Sequence, residues 1–554
     1  MISSSIPAAD GAKVPDYDVI VVGAGFAGLL LLHRLRPLGL RVKVLEAGND
    51  VGGTWYWNRY PGARCDVESI EYSYSFSEAL QQDWVWSERY AGQPEILRYI
   101  NHVADRFELR RDIDLGTRVT QARFEPGRNQ WTVRTDTGRE LGARFCIMAT
   151  GNLSKARLPD IPGIESFSGR WFHTSAWPQE PVDFTGLRVG VIGTGSTGIQ
   201  VIPKIAEQAA RLTVFQRTAN YVIPLRNGPL LQEVLAAAKA DYPQLRQQAR
   251  ESPSGVAGFN VPTQSALEVS PAEREAAYES RWNWGGIGLT RAFNDVIFDA
   301  EANRTASEFV IRKLHEVVRD PATARMLTPR YPIGTKRLCA DTHYYQTFNR
   351  DTVQLVDIQQ HPITAIDGDT VHTSHSAHPL DALVFATGFD AMTGTLLSID
   401  IAVQGGPSLR SLWADGPHAY LGLMVAGLPN LFLVTGPGSP SVLSNVVVSI
   451  EQHVDWIADC LAHLQRQGLD HIAAEPEAQA AWQEHVSEVA NRSLLAQAVS
   501  WYTGANIPGK PRVFMPYMGG VGAFRQHCEA VAQDNYRGFA LSRAPQPLEQ
   551  STPA

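Results

Sequence analysis

Two glycine-rich stretches, Gly23-x-Gly25-x-x-Gly28 and Gly193-x-Gly195-x-x-Gly198, limit what this chain can fold into more than any other feature. Each follows a short apolar run of the kind buried on both faces of a parallel sheet, Asp18-Val19-Ile20-Val21-Val22 and Arg188-Val189-Gly190-Val191-Ile192. Each then opens the apolar density of a packed helix, over Leu29 to Leu38 and from about Ile199. Glycines at such a turn let a pyrophosphate reach backbone amides at the helix N-terminus, where side chains would hold it away. The fold expected is therefore α/β, with two dinucleotide-binding, Rossmann-like domains in one chain.

The residue after each unit's second strand separates the two ligands. Val42-Lys43-Val44-Leu45 ends in Glu46, about twenty residues past the glycines, where a carboxylate takes ribose hydroxyls and repels a 2′-phosphate. FAD or NAD is expected there, on Gly23, Gly25, Phe26, Ala27, Gly28 and Glu46. After Leu212-Thr213-Val214-Phe215-Gln216 the same place is held by Arg217, followed by Thr218. An arginine fork beside a hydroxyl suits a 2′-phosphate. The second dinucleotide is expected to be NADPH, on Gly193, Thr194, Gly195, Ser196, Thr197, Gly198, Arg217 and Thr218.

The 554 residues, 44% hydrophobic and 19% charged, suffice for two or three domains. With 49 Lys and Arg against 57 Asp and Glu the net charge is −8, without a long basic run, so no nucleic-acid partner is expected. No segment approaches the ~20 apolar residues of a membrane span. Five scattered cysteines, Cys65, Cys146, Cys339, Cys460 and Cys528, suggest neither a disulfide framework nor a zinc site. They point to the reducing cytoplasm, and no metal is expected. The sequence sets no oligomeric state, and a monomer is compatible with it.

The stretch from Gly52 to Asp66 has neither strand nor helix periodicity and reads as a long, ordered, aromatic-rich loop serving a site. Trp55, Tyr60 and Tyr72 are candidates to flank a flavin ring, or equally to fill core. Between the two glycine units lies a joint, Phe167 to Pro178, of pattern F-x-G-x-x-x-H-x-x-x-W-P. Taken with the loop pattern G-G-x-W-x-x-x-x-Y-P-G-x-x-x-D, it resembles the fingerprints of type I Baeyer–Villiger monooxygenases, and the similarity runs from about Tyr17 to Leu541.

The resemblance implies an enzyme that uses NADPH to reduce FAD, captures dioxygen as a flavin peroxide and inserts one oxygen atom beside a ketone carbonyl. The product would be an ester or lactone; aryl, cyclic and steroid-like ketones all stay open. By the same resemblance Arg337, in Gly334-Thr335-Lys336-Arg337, is the catalytic cation and Asp66 its partner. Lys336 joins the 2′-phosphate site, and Trp501 covers the nicotinamide dinucleotide. Ser441, Val442 and Leu443 line the substrate pocket, and His173 holds the joint. Arg64, Val119 and Val446 are expected to complete the cofactor contacts with Trp55, Asp66 and Tyr72. A guanidinium fits the part because, with a pKa above ~12, it cannot protonate the peroxide. Without the resemblance, Asp66 and Arg337 would read as an ordinary buried ion pair.

The resulting order is a tail over 1–16, a first part of the FAD domain over 17–151, and the joint with a first part of the NADP domain over 152–219. A helical insertion over 220–331 follows, with a helix starting at Ser270 and Pro271. The NADP domain resumes over 332–388 and the FAD domain over 389–541, and a tail closes the chain over 542–554. The aperiodic stretch from Trp501 to Gly519 is the candidate for a mobile lid. Flavin N- or S-monooxygenases are the near alternatives, and a catalytically silent NADPH sensor is the alternative from another class.

Overall fold

The structure is a computed structural model and describes residues 15–258 and 262–543, so the expected tails lie almost wholly outside the described residues. An eight-stranded sheet runs in the order Asp400–Val403, Val119–Glu125, Gln130–Thr135, Glu140–Met148, Tyr17–Val22, Val42–Leu45 and Ile113–Asp114, with Leu431–Leu433 also paired to Glu140–Met148. Segments on either side of 152–388 therefore build one sheet. Val19 to Val22 of the Tyr17–Val22 strand are all apolar and buried because both faces are covered there. Val19 and Val21 face a core shared with Leu29, Leu32 and Ile457, while Ile20 and Val22 face one shared with Trp131 and Leu431.

A second sheet has five strands, all parallel, in the order Val353–Asp357, Arg211–Gln216, Arg188–Ile192, Ala382–Phe385 and Arg170–His173. Its core joins Val189, Val191 and Val214 to Ile199 and Ile202 of the Ser196–Ala206 helix. The region from 220 to 331 is largely helical and has a core of its own around Tyr278, Phe293, Phe309 and Ile333. Within it, Ser270 and Glu273 form a reciprocal capping box on the Pro271–Trp284 helix, with proline at the first position.

Some local readings shift. The loop from Gly52 to Asp66 contains one helical turn, Thr54–Trp57. The strand Leu431–Leu433 is short because Asn430 and Thr435 both take a φ of 56°, outside the extended range. The following helix runs over Val446–Gln467, with Asn445 capping its start.

The two crossovers between the sheets pair with each other. Met392 N donates to Asn152 O (2.8 Å), Asp390 N to Lys155 O (2.9 Å) and Arg157 N to Gly388 O (3.0 Å), an antiparallel ribbon between 152–157 and 388–392. Both glycine turns open beside it.

Candidate active site

The two glycine turns are built alike. A Cβ on Gly28 would lie 1.9 Å from Gly23 O and one on Gly198 2.2 Å from Gly193 O, so these two glycines let each helix press on its strand. Gly25 approaches Gly53, whereas a Cβ on Gly195 would meet nothing within 4 Å. Glu46 is 5% exposed and accepts from Ala24 N and Gly48 N at 2.7 Å each. Burial raises its pKa, and these two amides and Arg118 pull it back.

Both turns open onto one cavity of about 1570 Å³. Its walls include Gly23, Gly25, Phe26, Ala27, Glu46, Trp55, Arg64, Asp66, Tyr72, Val119, Gly193 to Thr197, Arg217, Thr218, Lys336, Arg337, Val442, Val446 and Trp501. Gly28 and Gly198 stand behind the walls. Ser441 is fully buried, bonded to Asn152 Nδ2 (2.7 Å), and neither it nor Leu443 reaches the cavity. Trp55 Nε1 donates to Tyr72 OH at 3.1 Å, fixing those two rings edge to face, and Tyr60 OH donates to Gln200 Oε1 at 2.8 Å.

Arg337 reaches Asp66 across 271 residues of sequence. Its Nη2 lies 2.7 Å from both Asp66 oxygens, its Nε 3.1 Å from Oδ2, and its Nη1 donates to Val442 O at 2.8 Å. The loop aspartate is held because Cys65 N donates to Ala91 O (3.2 Å). Arg337 is held by the Cys339–Ala340 strand, which pairs in parallel with Val222–Ile223. Burial alone would lower the Arg337 pKa, but Asp66 and the Tyr502 hydroxyl outweigh it and the guanidinium stays above its ordinary range. The pair is nevertheless 24% and 26% exposed, on a cavity wall, and so open to a ligand.

The charges around the cavity are one-sided. Among the described residues Arg64, Arg118, Lys155, Arg157, Arg217, Lys336 and Arg337 line it, against the carboxylates Glu46 and Asp66. Glu46 is spent on backbone amides and Asp66 on Arg337. Arg217 follows directly on its strand, and Thr194 Oγ1 donates to Thr218 O at 3.0 Å. Lys336 lies over the Tyr331 ring, 4.5 Å from its centre. Burial and then Arg217 lower the pKa of Lys336. Arg64 bonds Glu88 and Tyr90 O.

His173 lies outside the cavity. Its Nδ1 bonds Ser175 Oγ (2.7 Å), and its Nε2 lies 3.3 Å from Arg157 O and 3.4 Å from Thr387 Oγ1, so it ties the joint to the end of the neighbouring strand. Sequence reasoning missed four residues that the fold brings to the site. Gln200 also donates to Arg64 O (3.0 Å) and so links the aromatic loop to the second helix. Asn152 and Arg157 come from the ribbon, and Tyr502 lies beneath Trp501 with ring centres 4.3 Å apart. Only Tyr502, beside the tryptophan already singled out, carried any signal. All five cysteines are free and buried. Among the described residues no helix is long and apolar enough to cross a membrane.

Residues 20–226 match a family described as pyridine nucleotide-disulphide oxidoreductase. A solved structure of oxidized steroid monooxygenase bound to NADP is 53% identical, with a TM-score of 0.91 over 95% of this chain and 99% of that one. A Baeyer–Villiger monooxygenase of Pseudooceanicola batsensis is 40% identical over 95% of this chain and 97% of its own. A phenazine N-monooxygenase of Lysobacter antibioticus is 39% identical over 96% and 98%. With a shared cavity between two dinucleotide folds and full-length likeness of this kind, the chain belongs to the Baeyer–Villiger monooxygenases.

Proposed function

We propose that this protein is an FAD-containing, NADPH- and dioxygen-dependent monooxygenase that converts a ketone into an ester or lactone. The observation that carries the reading is the Arg337–Asp66 pair on the wall of a cavity onto which both glycine turns open. The residues fit two dinucleotides: Gly195 leaves room for a phosphate, and beside the paired Arg337 and Arg64 the wall carries Arg118, Lys155, Arg157, Arg217 and Lys336. FAD would rest on Gly23, Gly25 and Glu46, beside Trp55 and Tyr72. NADPH would rest on Gly193 to Thr197, with Arg217, Thr218 and Lys336 at its 2′-phosphate and Trp501 above it. Bound together, NADPH supplies the electrons and FAD the activation of dioxygen.

The protein's own part is electrostatic and steric. Arg337 presents a donor that stays charged at any working pH to the negative charge that develops on the ketone oxygen. Asp66 fixes the guanidinium plane, and Val442 O takes a third N–H. A lysine there could release a proton where a guanidinium cannot. Val442 and Val446 offer an apolar wall to the ketone, and the buried aromatic loop keeps bulk water out. His173 keeps the joint angle. The free, buried cysteines favour a cytoplasmic setting.

N-oxidation is the second reading, favoured by the likeness to the phenazine enzyme. A panel of phenylacetone, cyclohexanone, progesterone and phenazine, with NADPH consumption compared against product formed, tests both. Ester or lactone from at least one ketone is expected. Oxidation of phenazine alone would replace the ketone reading.

A further inference from the structure

Arg157 is, with Arg118 and Lys155, one of the cavity-wall cations that neither glycine turn nor the family fingerprints account for, and the one whose charge is felt together with that of Arg217. Its backbone is fixed in the ribbon: N–H to Gly388 O (3.0 Å), and a carbonyl that accepts from Thr387 Oγ1 and lies 3.3 Å from His173 Nε2. Its guanidinium donates to Asn506 O, and Asn506 Nδ2 in turn donates to Phe389 O at 3.2 Å. One carbonyl uses only part of a guanidinium's five donors. The side chain is thus aimed by the C-terminal segment and still faces the cavity that Arg217 and Lys336 also line.

The charges around it call for an anion. Burial first, and then Arg217, lower the Arg157 pKa, with Asp390 acting in the opposite direction. Asp390 is already engaged by Lys510 Nζ at 2.5 Å. Arg217 acts on both Arg157 and Lys336, and like charges on one cavity wall repel until an anion relieves them.

We propose that Arg157 is a coenzyme-binding residue, a third cation beside Arg217 and Lys336 for the 2′-phosphate of the dinucleotide, aimed by the Asn506 carbonyl. This rests on the NADPH reading above.

Binding of NADP⁺ and NAD⁺ to the FAD-loaded protein tests it without turnover, since the two share the pyrophosphate and differ in the 2′-phosphate. Binding is read from the quenching of tryptophan fluorescence, Trp501 being on the cavity wall. Arg157→Gln is expected to weaken NADP⁺ about tenfold and NAD⁺ less than about threefold, and Arg157→Lys to recover part of the loss. Equal weakening of both would make Arg157 a structural support and overturn the inference, as would unchanged NADP⁺ affinity. Arg217→Ala separates the two readings. If it too leaves the NADP⁺ preference intact, or if wild type has none, the NADPH reading falls; if Arg217→Ala loses the preference and Arg157→Gln keeps it, only the Arg157 assignment does.

Discussion

Gly195 and Gly198 stand three positions apart in the same turn and are expected to fail in opposite ways. Gly195 has a φ of −77° and a ψ of −172°, which alanine tolerates, and empty space where a Cβ would go. Gly195→Ala should leave thermal stability within about 0.5 kcal/mol of wild type and weaken NADP⁺, because the methyl occupies the phosphate's place. A Cβ on Gly198 meets a backbone oxygen at 2.2 Å, and no side-chain movement relieves that. Gly198→Ala should therefore cost about 1–3 kcal/mol, with loss of NADP⁺ binding only as a consequence. Thermal melts and NADP⁺ titrations of both variants check the pair; equal destabilisation would contradict the division of roles.

At the scale of single elements, the Ser270–Glu273 capping box closes the first turn of the Pro271–Trp284 helix far from the cavity. Ser270→Ala should lower stability by about 1 kcal/mol with turnover per folded molecule unchanged, measured by melting and by steady-state rates. The start of this helix was legible in the sequence because Ser270 suits an N-cap and Pro271 a first position by local geometry alone, and the structure adds Glu273 to the cap. The strands before the glycines were legible for a similar reason: Val19–Val22 and Val189–Ile192, buried on both faces, carry no polar side chain. Arg217 in place of an acid was legible because it is the next residue after a strand. What escaped was set by distant parts of the chain. Asn152 and Arg157 owe their places to the pairing of 152–157 with 388–392, which no periodicity signals. The left-handed backbone of Asn430 and Thr435, on either side of Leu431–Leu433, likewise has no local signal. Ser441 and Leu443 were expected in the pocket through the resemblance, and only Val442 between them reaches the wall.

At the scale of the whole molecule, Arg246 and Ala257 of the 220–331 region are latched to the turn at Glu71 and Ser73 by buried polar groups. Glu71 Oε2 accepts from Ala257 N (2.6 Å), Arg246 donates to Glu71 O and Ser73 Oγ, and Asn445 Nδ2 donates to Glu71 O (2.9 Å). Burial pushes the Glu71 carboxyl up from 4.5 to about 7, against the pull of the Ala257 amide and Arg246, with Glu68 adding to the rise. The folded chain thus holds this proton more tightly than the unfolded chain. The stability it brings is complete below pH 4.5 and is lost as the pH rises through 7. Wild type should lose on the order of 1–3 kcal/mol more than Glu71→Gln between pH 4.5 and pH 8, followed by thermal unfolding; parallel curves would refute the latch.

The same scale holds the central claim, since Arg337 comes from the second unit and Asp66 from the first, and the two meet only in the assembled fold. Arg337→Ala removes the cation without disturbing either glycine turn. The most direct measurement is the amount of ester or lactone formed per NADPH consumed, compared between wild type and Arg337→Ala on one accepted ketone. Arg337→Ala is expected still to consume NADPH while its product yield falls about 100-fold or more. A yield per NADPH close to that of wild type would contradict it.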